Sequence, residues 1–444
     1  MTNLLRAMGF WIWGLLAVVL SVSVITVSYR MSTLARSVAF REPVLSAAPV
    51  EAAHAASDSS SKSPSISRVI AKEMRAAQAA MQVEDWNAAI KSLDAAASKF
   101  PLTAFDRSTL AEFRAFNLVK LRRLKEAQAA YAAALAAGGY SGEAITKLQR
   151  SEFSLAAGNS DHAQTVAIGT QLADAGNATP NDLAVIAQAY FLQKDCMQTA
   201  LWANRVLAAD LKAGIPPKEN LYLFKLQCAS DSNDQASMVA VLYDLIRLAH
   251  KSSHWNILLR IERQNLHDDH NTLQLDRLMY DTGAMTLDTD FLELAQLLID
   301  QGIPGEGVMV LKTLIASKYM KPEHRDRAER LLASATRFVD TASDNPDPDA
   351  VRSLLLANAS EDGGSTFGAP TSLERTTTRS QLQRPEELNL YLARVLIIQG
   401  DFAGGRTALQ KFIALANPTV ATVWKLYADT LPEPAPAPAP ANAT

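Results

Sequence analysis

The chain has 444 residues, of which 48% are hydrophobic, and its formal net charge at pH 7 is -3. This length is sufficient for a large buried core, and the charge lacks the excess of Lys and Arg that marks nucleic-acid-binding proteins. The two cysteines, Cys196 and Cys228, are too few for a disulfide-rich scaffold or a cysteine-based zinc cluster.

The first predicted element is a membrane-spanning helix within residues 1–29. Residues 7–29 contain no charged side chain, and a helix of this length spans about 34 Å, enough to cross a bilayer. Trp11 and Trp13 lie near one end of this run and Tyr29 lies at the other, as in the aromatic belts of membrane proteins. A cleaved signal peptide is the alternative, but its apolar core would be only ~7–15 residues long. The longer run favours an uncleaved anchor.

Residues 30–67 are rich in Ala, Pro and Ser and are predicted to form a disordered tether. A tether between an anchor and a folded body is typical of bacterial envelope proteins, which favours a periplasmic body. The flanking charges favour the cytoplasm instead, because Arg30, Arg36 and Arg41 follow the span and only Arg6 precedes it. We interpret the chain as a single-pass inner-membrane protein with its bulk in the periplasm, and the cytoplasmic orientation stays open as the alternative.

A repeated pattern organises residues 68–342 and returns within residues 385–431. In its first copy, from Glu84 to Leu93, a polar turn is followed by an apolar residue and then by a small residue three places on. The small positions are Ala89, Ala127, Ala163, Thr199, Ser237, Gly307 and Gly405. Twelve places earlier stand Ala77, Ala115, Ser151, Ala187, Ala295 and Ala393, with Lys225 as the exception. Small residues on two consecutive helices allow close antiparallel packing, and the fixed period predicts a helical solenoid.

The predicted helical pairs follow one another along the chain. They cover roughly 68–82 with 85–98, 106–121 with 124–137, 142–156 with 160–175, 181–193 with 195–212, 218–230 with 234–250, and 290–301 with 305–318. The pattern fades over 252–284, a further helix is expected near 322–340, and residues 343–384 are predicted to be an irregular insertion. Residues 385–431 contain a terminal helical pair and a cap, and residues 432–444 form a disordered Pro/Ala tail. The predicted fold is therefore an all-α helical-hairpin solenoid behind one transmembrane helix.

Three local motifs resemble ligand-binding sites. His267 and His270 have a spacing that can share a metal ion, but the intervening Asp268 and Asp269 favour a helix N-terminus. The glycines from Gly302 to Gly307 lack the lysine and hydroxyl residues of a phosphate loop, so a turn between helices is expected. The basic run is interpreted as a solvated helix end; its members are Lys120, Arg122, Arg123 and Lys125.

The two cysteines are predicted on adjacent helices, towards the same end of the solenoid. The helical rise places them several ångströms out of register, so two buried thiols are expected and a disulfide is the alternative. The sequence also lacks the motifs of a serine hydrolase or of a zinc protease. We therefore predict a protein that is not an enzyme and has no cofactor and no metal.

The repeat spacing resembles that of the tetratricopeptide repeat, with slightly longer units, and Pro101 stands where the closing proline of that repeat falls. Four longer segments are similar, in the same order, to exported tetratricopeptide proteins encoded beside TonB–ExbB–ExbD systems of Gram-negative bacteria. These segments are 102–107, 214–220, 292–298 and 383–387. The resemblance implies a periplasmic, non-catalytic protein that takes part in envelope transport.

In the resembled repeat, ligands bind mainly at four positions of the first helix of each pair. The matching residues here include Glu112, Phe116, Glu152, Gln188, Phe191, Glu219 and Tyr222. Their mixed acidic and aromatic character suits an extended peptide or a partner helix, although Phe116 and Phe191 would equally suit the core. The leading hypothesis is a membrane-anchored scaffold for envelope proteins, with no nucleic-acid partner. The alternatives are an assembly factor or holdase for exported or outer-membrane proteins, and a glycan-acting enzyme.

Overall fold

The computed structural model describes residues 65–343 and 385–433. Within these ranges the chain forms 18 α-helices and no β-strand, which confirms the all-α prediction. No helix in the described ranges has both the length and the apolar character needed to cross a membrane. The predicted span at 7–29 lies outside these residues, as do nearly all of the tether, the insertion and the tail.

The described helices fall into two compact units that divide after Ser232. The sequence analysis predicted one run of repeats over residues 68–342, whereas the structure divides this run after Ser232. Unit 1 contains α1 (Ala71–Gln82), α2 (Trp86–Ala97), α3 (Ala104–Lys120), α4 (Leu124–Ala136), α5 (Glu143–Gly158), α6 (His162–Asp174), α7 (Pro180–Leu192), α8 (Cys196–Ala213) and α9 (Glu219–Asp231).

Unit 2 begins at Asn233 and contains the remaining helices. These are α10 (Gln235–Leu248), α11 (Ser252–Gln264), α12 (Asp269–Asp281), α13 (Asp288–Asp300), α14 (Pro304–Ala316), α15 (Pro322–Ser343), α16 (Pro385–Ile398), α17 (Phe402–Ile413) and α18 (Pro418–Thr430). Residues 252–284, where the repeat pattern fades, form the regular helices α11 and α12.

A common turn precedes the second helix of each pair. In the first turn, Glu84 adopts a left-handed conformation with φ of 57°, and the N–H of Asp85 donates to the carbonyl of Ala80 over 2.9 Å. The Asp85 carboxylate then accepts a hydrogen bond from the N–H of Ala88, which caps α2. The bond back to Ala80 satisfies a carbonyl that the end of α1 would leave unpaired. Left-handed residues stand at the corresponding places Arg122, Ser160, Lys194, Asn233, Gly302 and Gly400.

This turn corrects the repeat register at two positions. Ala163 and Ser237, predicted as buried small residues, are exposed, whereas the residues four places after the N-cap, Thr165 and Met238, are buried. The Ser237 hydroxyl instead donates to the capping carboxylate of Asp234 over 2.6 Å. The buried positions are therefore Ala89, Ala127, Thr165, Thr199, Met238, Gly307 and Gly405.

The corrected register explains a bulky residue where the pattern expects a small one. The position twelve places before Thr165 is Phe153, which is buried. A Cβ on Gly169 would lie 2.7 Å from Cε2 of Phe153 and 2.5 Å from Cγ1 of Ile186. Gly169 thus provides the space that the phenylalanine ring occupies, and both side chains join one hydrophobic cluster with Trp202.

In unit 2, the helices after residue 384 pack against the helices before residue 344. α18 contacts α10 and α12, and the fully buried Trp424 donates its indole N–H to the carbonyl of Gln274 over 3.2 Å. The ring of Tyr427 lies 6.2 Å from that of Trp255 on α11. The terminal helices therefore complete the core of unit 2.

Candidate protein-binding surfaces

The first helices of successive pairs in unit 1 lie beside one another. Arg150 on α5 forms an ion pair of 3.0 Å with Asp182 on α7. On the next interface, the rings of Phe191 on α7 and Phe224 on α9 stack with centroids 4.5 Å apart. The predicted groove residues therefore lie on adjoining helices, as a surface for an extended partner requires.

Glu112 and Phe116 are half-buried on α3, within a polar and aromatic cluster. The Tyr140 hydroxyl donates to the Glu112 carboxylate, and the ring of Phe116 meets that of Trp86 edge to face at 6.0 Å. The Lys120 ammonium lies 5.5 Å from the Phe116 ring centroid. Each side chain thus keeps part of its surface open, while Phe116 packs α3 against α2 and Glu112 binds the segment after α4 through Tyr140.

Glu152 does not line an accessible surface. Glu152 is buried, with 1% of the residue exposed, and its Oε1 accepts a hydrogen bond of 2.8 Å from Gln164 Nε2. Burial raises the pKa of Glu152, against the opposing effect of the Gln164 hydrogen bond. The assignment to a partner-binding groove is therefore corrected: Glu152 lies on the packed side of α5, where it contacts α6.

The other four predicted residues are half-buried on α7 and α9. They are Gln188, Phe191, Glu219 and Tyr222. The stacking of Phe191 on Phe224 joins α7 to α9, the helix that carries Glu219 and Tyr222. Lys225 lies 5.9 Å from the Tyr222 ring. The structure thus brings these residues together on one pair of helices, whereas Glu112 and Phe116 belong to the cluster around Tyr140 and Trp86.

The sequence analysis missed an exposed apolar face on α8. Met197, Leu201 and Leu211 are 76%, 52% and 79% exposed. Their spacing is compatible with a single face of a helix, which is the pattern that could have revealed them. The repeat pattern does not predict this surface, because the pattern reports buried small residues and these side chains point away from the α7–α8 packing.

The two cysteines form a disulfide, so the expectation of separate thiols is wrong. Cys196 begins α8 and Cys228 lies near the end of α9, with their Cα atoms 5.4 Å apart. Helical rise alone places the two cysteines out of register, but the connection between the helices also decides where α9 begins. The five residues 214–218 between these helices are not helical, and an extended segment of that length spans up to about 17 Å. This reach allows α9 to be displaced along α8 until the cysteines meet.

A buried ionic network joins α12, α14 and α16 in unit 2. Glu306 is 0% exposed and accepts hydrogen bonds from Arg277 Nη2 at 2.7 Å, from the Tyr391 hydroxyl at 3.0 Å, and from Arg394. Arg394 also donates to both oxygens of Asp281, at 2.6 and 2.8 Å. Although burial acts to raise it, the two guanidinium groups lower the pKa of Glu306 to about 2. A carboxylate that stays ionised and enclosed suits structural support, not proton transfer near neutral pH.

Asp276 has the pKa expected of a general acid or base, but it is enclosed. Burial raises the pKa of Asp276 to about 7, although Arg263 Nε lies 3.2 Å away and opposes the shift. Only 2% of the residue is exposed. The neighbouring carboxylates are themselves paired: Asp290 with Arg260 at 2.6 Å and Glu293 with Arg263 at 2.7 Å. This arrangement offers a glycan substrate no open pair of carboxyl groups.

The histidine pair and the glycine-rich segment lie at the ends of helices. Asp268 caps α12 by accepting a hydrogen bond of 2.8 Å from the N–H of Asn271, which confirms the capping interpretation. His270 lies 3.1 Å from Glu387 on α16. Gly302 has φ of 76° in the turn before α14, as expected for a turn. Within residues 65–343 and 385–433, no group of three His, Cys, Asp or Glu residues could hold a metal ion.

Comparisons with known proteins do not assign the chain to a family. No protein-family model matches the chain, and no curated protein matches it. Among solved structures, a tetratricopeptide repeat protein from Parabacteroides merdae ATCC 43184 is similar, with 12% identity and a TM-score of 0.29 over 61% of this chain and 100% of that one.

Two further solved structures are similar to the chain. Naa15/Naa10 bound to HypK-THB shares 15% identity, with a TM-score of 0.26 over 81% of this chain and 66% of that chain. The tetratricopeptide domain of P58(IPK) shares 11%, with a TM-score of 0.21 over 82% and 98%. At these TM-scores the likenesses leave the family and the partner open.

Proposed function

We propose that this protein is a non-enzymatic scaffold of the bacterial envelope, anchored in the inner membrane through residues 7–29, with its helical units in the periplasm. The observation that carries this proposal is the disulfide between Cys196 and Cys228. Structural disulfides persist in oxidising compartments such as the periplasm and are rare in the cytosol. This favours the periplasmic orientation over the one suggested by Arg30, Arg36 and Arg41.

The binding role is supported by the surfaces of unit 1. Adjacent first helices present half-buried aromatic and polar side chains, among them Phe116, Gln188 and Tyr222, and α8 presents an apolar face. The strongly perturbed carboxyl groups are instead enclosed, as for Asp276 and Glu306. Surface for partners without an open acid–base pair favours a scaffold. The resemblance favours envelope proteins, including those of TonB-linked transport, as its partners.

A topology assay tests the location. Alkaline phosphatase and, separately, green fluorescent protein are fused after Thr430 in a bacterial host. We expect phosphatase activity and no fluorescence, because phosphatase folds only after export. Fluorescence without phosphatase activity would place the helices in the cytoplasm and overturn the envelope proposal.

A thiol assay on the same cells provides an independent reading. Cells are treated with an alkylating reagent before lysis, and the modification of Cys196 and Cys228 is measured by mass spectrometry. The proposal expects both cysteines to escape modification until a reductant is added. Complete alkylation without reductant would contradict an oxidised pair in the cell.

The exposed apolar face of α8 also favours a second candidate, a holdase for exported or outer-membrane proteins. A holdase prefers unfolded clients, whereas a scaffold binds folded ones. The purified protein is added to a denatured outer-membrane protein during dilution from urea, and light scattering is recorded. Suppressed aggregation with no affinity for folded envelope proteins would favour the holdase.

A further inference from the structure

The strongest unassigned feature of unit 1 is a row of side chains along the exposed face of α8, which we name the α8 seam. Its members are Met197, Leu201, Asn204, Ala208 and Leu211, and all five are exposed. They succeed one another at intervals of four, three, four and three residues. This is the spacing with which one helix interlocks with a second helix.

The α8 seam lies on the side of α8 opposite to its packing within unit 1. Its opposite face is buried through Trp202, Ala203 and Val206, which belong to the main hydrophobic cluster of unit 1. Among the described residues of unit 1, eight large apolar side chains are exposed, and five of these lie between Leu192 and Ile215. Met197, Leu201 and Leu211 lie on α8 itself, and a concentration of exposed apolar side chains on and beside one helix is typical of an interaction site.

The seam is held rigid from the side. The disulfide fixes the first residue of α8, Cys196, to α9. Near the middle of the seam, the Asn204 amide oxygen accepts a hydrogen bond of 3.0 Å from Lys225 Nζ on α9. A helix that is fixed before binding loses little conformational freedom when a partner arrives.

The exposed charges on α8 and just before it are basic, and the half-buried Asp195 between Lys194 and the helix is used as its cap, accepting a hydrogen bond from the N–H of Gln198. The exposed charged residues of α8 are Arg205 and Lys212, and Lys194 stands two residues before the helix. The only acidic residue of α8 is Asp210, which is 1% exposed. A partner with acidic residues beside its apolar face would therefore complement this border.

We propose that the α8 seam binds one amphipathic helix of a partner protein, with apolar residues at alternating intervals of three and four and with Glu or Asp along their border. The seam from Met197 to Leu211 is about 21 Å long, equal to roughly four helical turns. A second copy of this chain fits less well, because two-fold pairing of one seam with itself would bring like charges together. This proposal rests on the scaffold role and is independent of the compartment.

Two synthetic peptides test the proposal against the purified full chain. Both are helical and carry identical leucines at the three–four spacing, one bordered by glutamates and the other by lysines, and binding is measured by fluorescence anisotropy. We expect the glutamate peptide to bind more tightly by on the order of tenfold, since its border faces Arg205 and Lys212. The double variant R205E/K212E should reverse this preference.

The apolar contribution is tested with L201E/L211E, which should abolish binding of the glutamate peptide. V83E is the matched control, because Val83 is 75% exposed and lies away from α8, and it should bind like the unchanged protein. Circular dichroism and an intact disulfide establish that each variant is folded. Equal binding of both peptides, unchanged binding by L201E/L211E, or no binding would overturn the proposal.

Two other occupants are separated in the same series. Sedimentation of the chain with vesicles of anionic phospholipid, if lost in L201E/L211E while neither peptide binds, would assign the seam to a lipid surface. A dimer detected by analytical ultracentrifugation and broken by L201E/L211E would assign it to a second copy. Either result would replace the proposed helix.

Discussion

At the scale of single residues, Glu306 determines how the terminal helices of unit 2 are held. Its carboxylate is fully enclosed and receives hydrogen bonds from Arg277, Tyr391 and Arg394. Two of these partners come from α16, more than 80 residues further along the chain. Removing one member of a buried charge network leaves the others without compensation, which costs more than the network itself contributes.

Replacing Glu306 with glutamine should lower the free energy of unfolding of unit 2 by about 3–5 kcal/mol, because Arg277 and Arg394 lose their shared counter-charge. Urea unfolding followed by circular dichroism measures this change. The control is E323Q, at an exposed glutamate in the first turn of α15, which should unfold like the unchanged protein. Equal effects of the two substitutions would contradict the role assigned to Glu306.

Glu306 also predicts an acid sensitivity. Its pKa is about 2 in the folded chain and lies near 4.5 in an unfolded one. A lowered pKa means that the ionised form favours folding, so the contribution is complete above pH 4.5 and is lost as the pH falls towards 2. The stability of unit 2 should decline over this window, and E306Q should decline less steeply. Urea titrations at pH 6, 4 and 3 test the difference, and parallel slopes would exclude Glu306 as its source.

At the scale of helices, the turns between paired helices follow from local sequence. Aspartates at the start of the second helix cap it, as Asp85, Asp161 and Asp195 do, and such caps are visible in a sequence. The register of the small residues was harder to predict. An alanine-rich chain offers several small residues as candidates, and the pattern predicts Ala163 at the position where Thr165 is buried. Burial is decided by the neighbouring helix, which the local pattern does not contain.

The first turn should respond in opposite directions to two adjacent substitutions. Replacing Glu84 with glycine removes the cost of a left-handed residue with a side chain and should raise the free energy of unfolding of unit 1 by up to about 1 kcal/mol. Replacing Asp85 with alanine removes the cap and should lower it by about 0.5–2 kcal/mol. Thermal unfolding measures both, and a change of the same sign in both variants would contradict this description of the turn.

The corrected register predicts that two nearby substitutions differ sharply. Replacing Gly169 with alanine places a Cβ 2.5 Å from Ile186 and should cost about 1–3 kcal/mol through overpacking. Replacing Ala163 with leucine, on the exposed side of α6, should change the free energy of unfolding by less than about 0.5 kcal/mol. Urea unfolding of both variants compares them. A large loss in A163L would support the original register in place of the corrected one.

At the scale of the whole molecule, what the sequence predicted were the features with short-range causes. The helices and their turns follow from periodicity and capping, so the all-α repeat architecture could be predicted from the sequence. Two features of unit 2 join distant parts of the chain: α18 packs on α10, and Arg394 contacts Glu306. The division after Ser232 instead separates neighbouring helices. A local sequence pattern contains none of this information. The groove residue Glu152 was misplaced for the same reason, because its burial depends on α6.

The pairing of Cys196 with Cys228 depends on both local and long-range structure. The two cysteines lie on separate helices, α8 and α9, and the non-helical residues 214–218 between these helices determine whether the cysteines meet. The disulfide closes a loop of 32 residues within unit 1, and restricting the unfolded chain in this way stabilises the folded state by about 3–4 kcal/mol in the chain-entropy description. The double variant C196S/C228S should lose a similar amount in urea unfolding. Adding a reductant to the unchanged protein should lower its stability towards that of the variant, and the variant itself should not respond to the reductant. If reductant instead leaves the unchanged protein as stable as before, the bond does not stabilise unit 1, and the packing of α8 on α9 alone keeps the two helices in register.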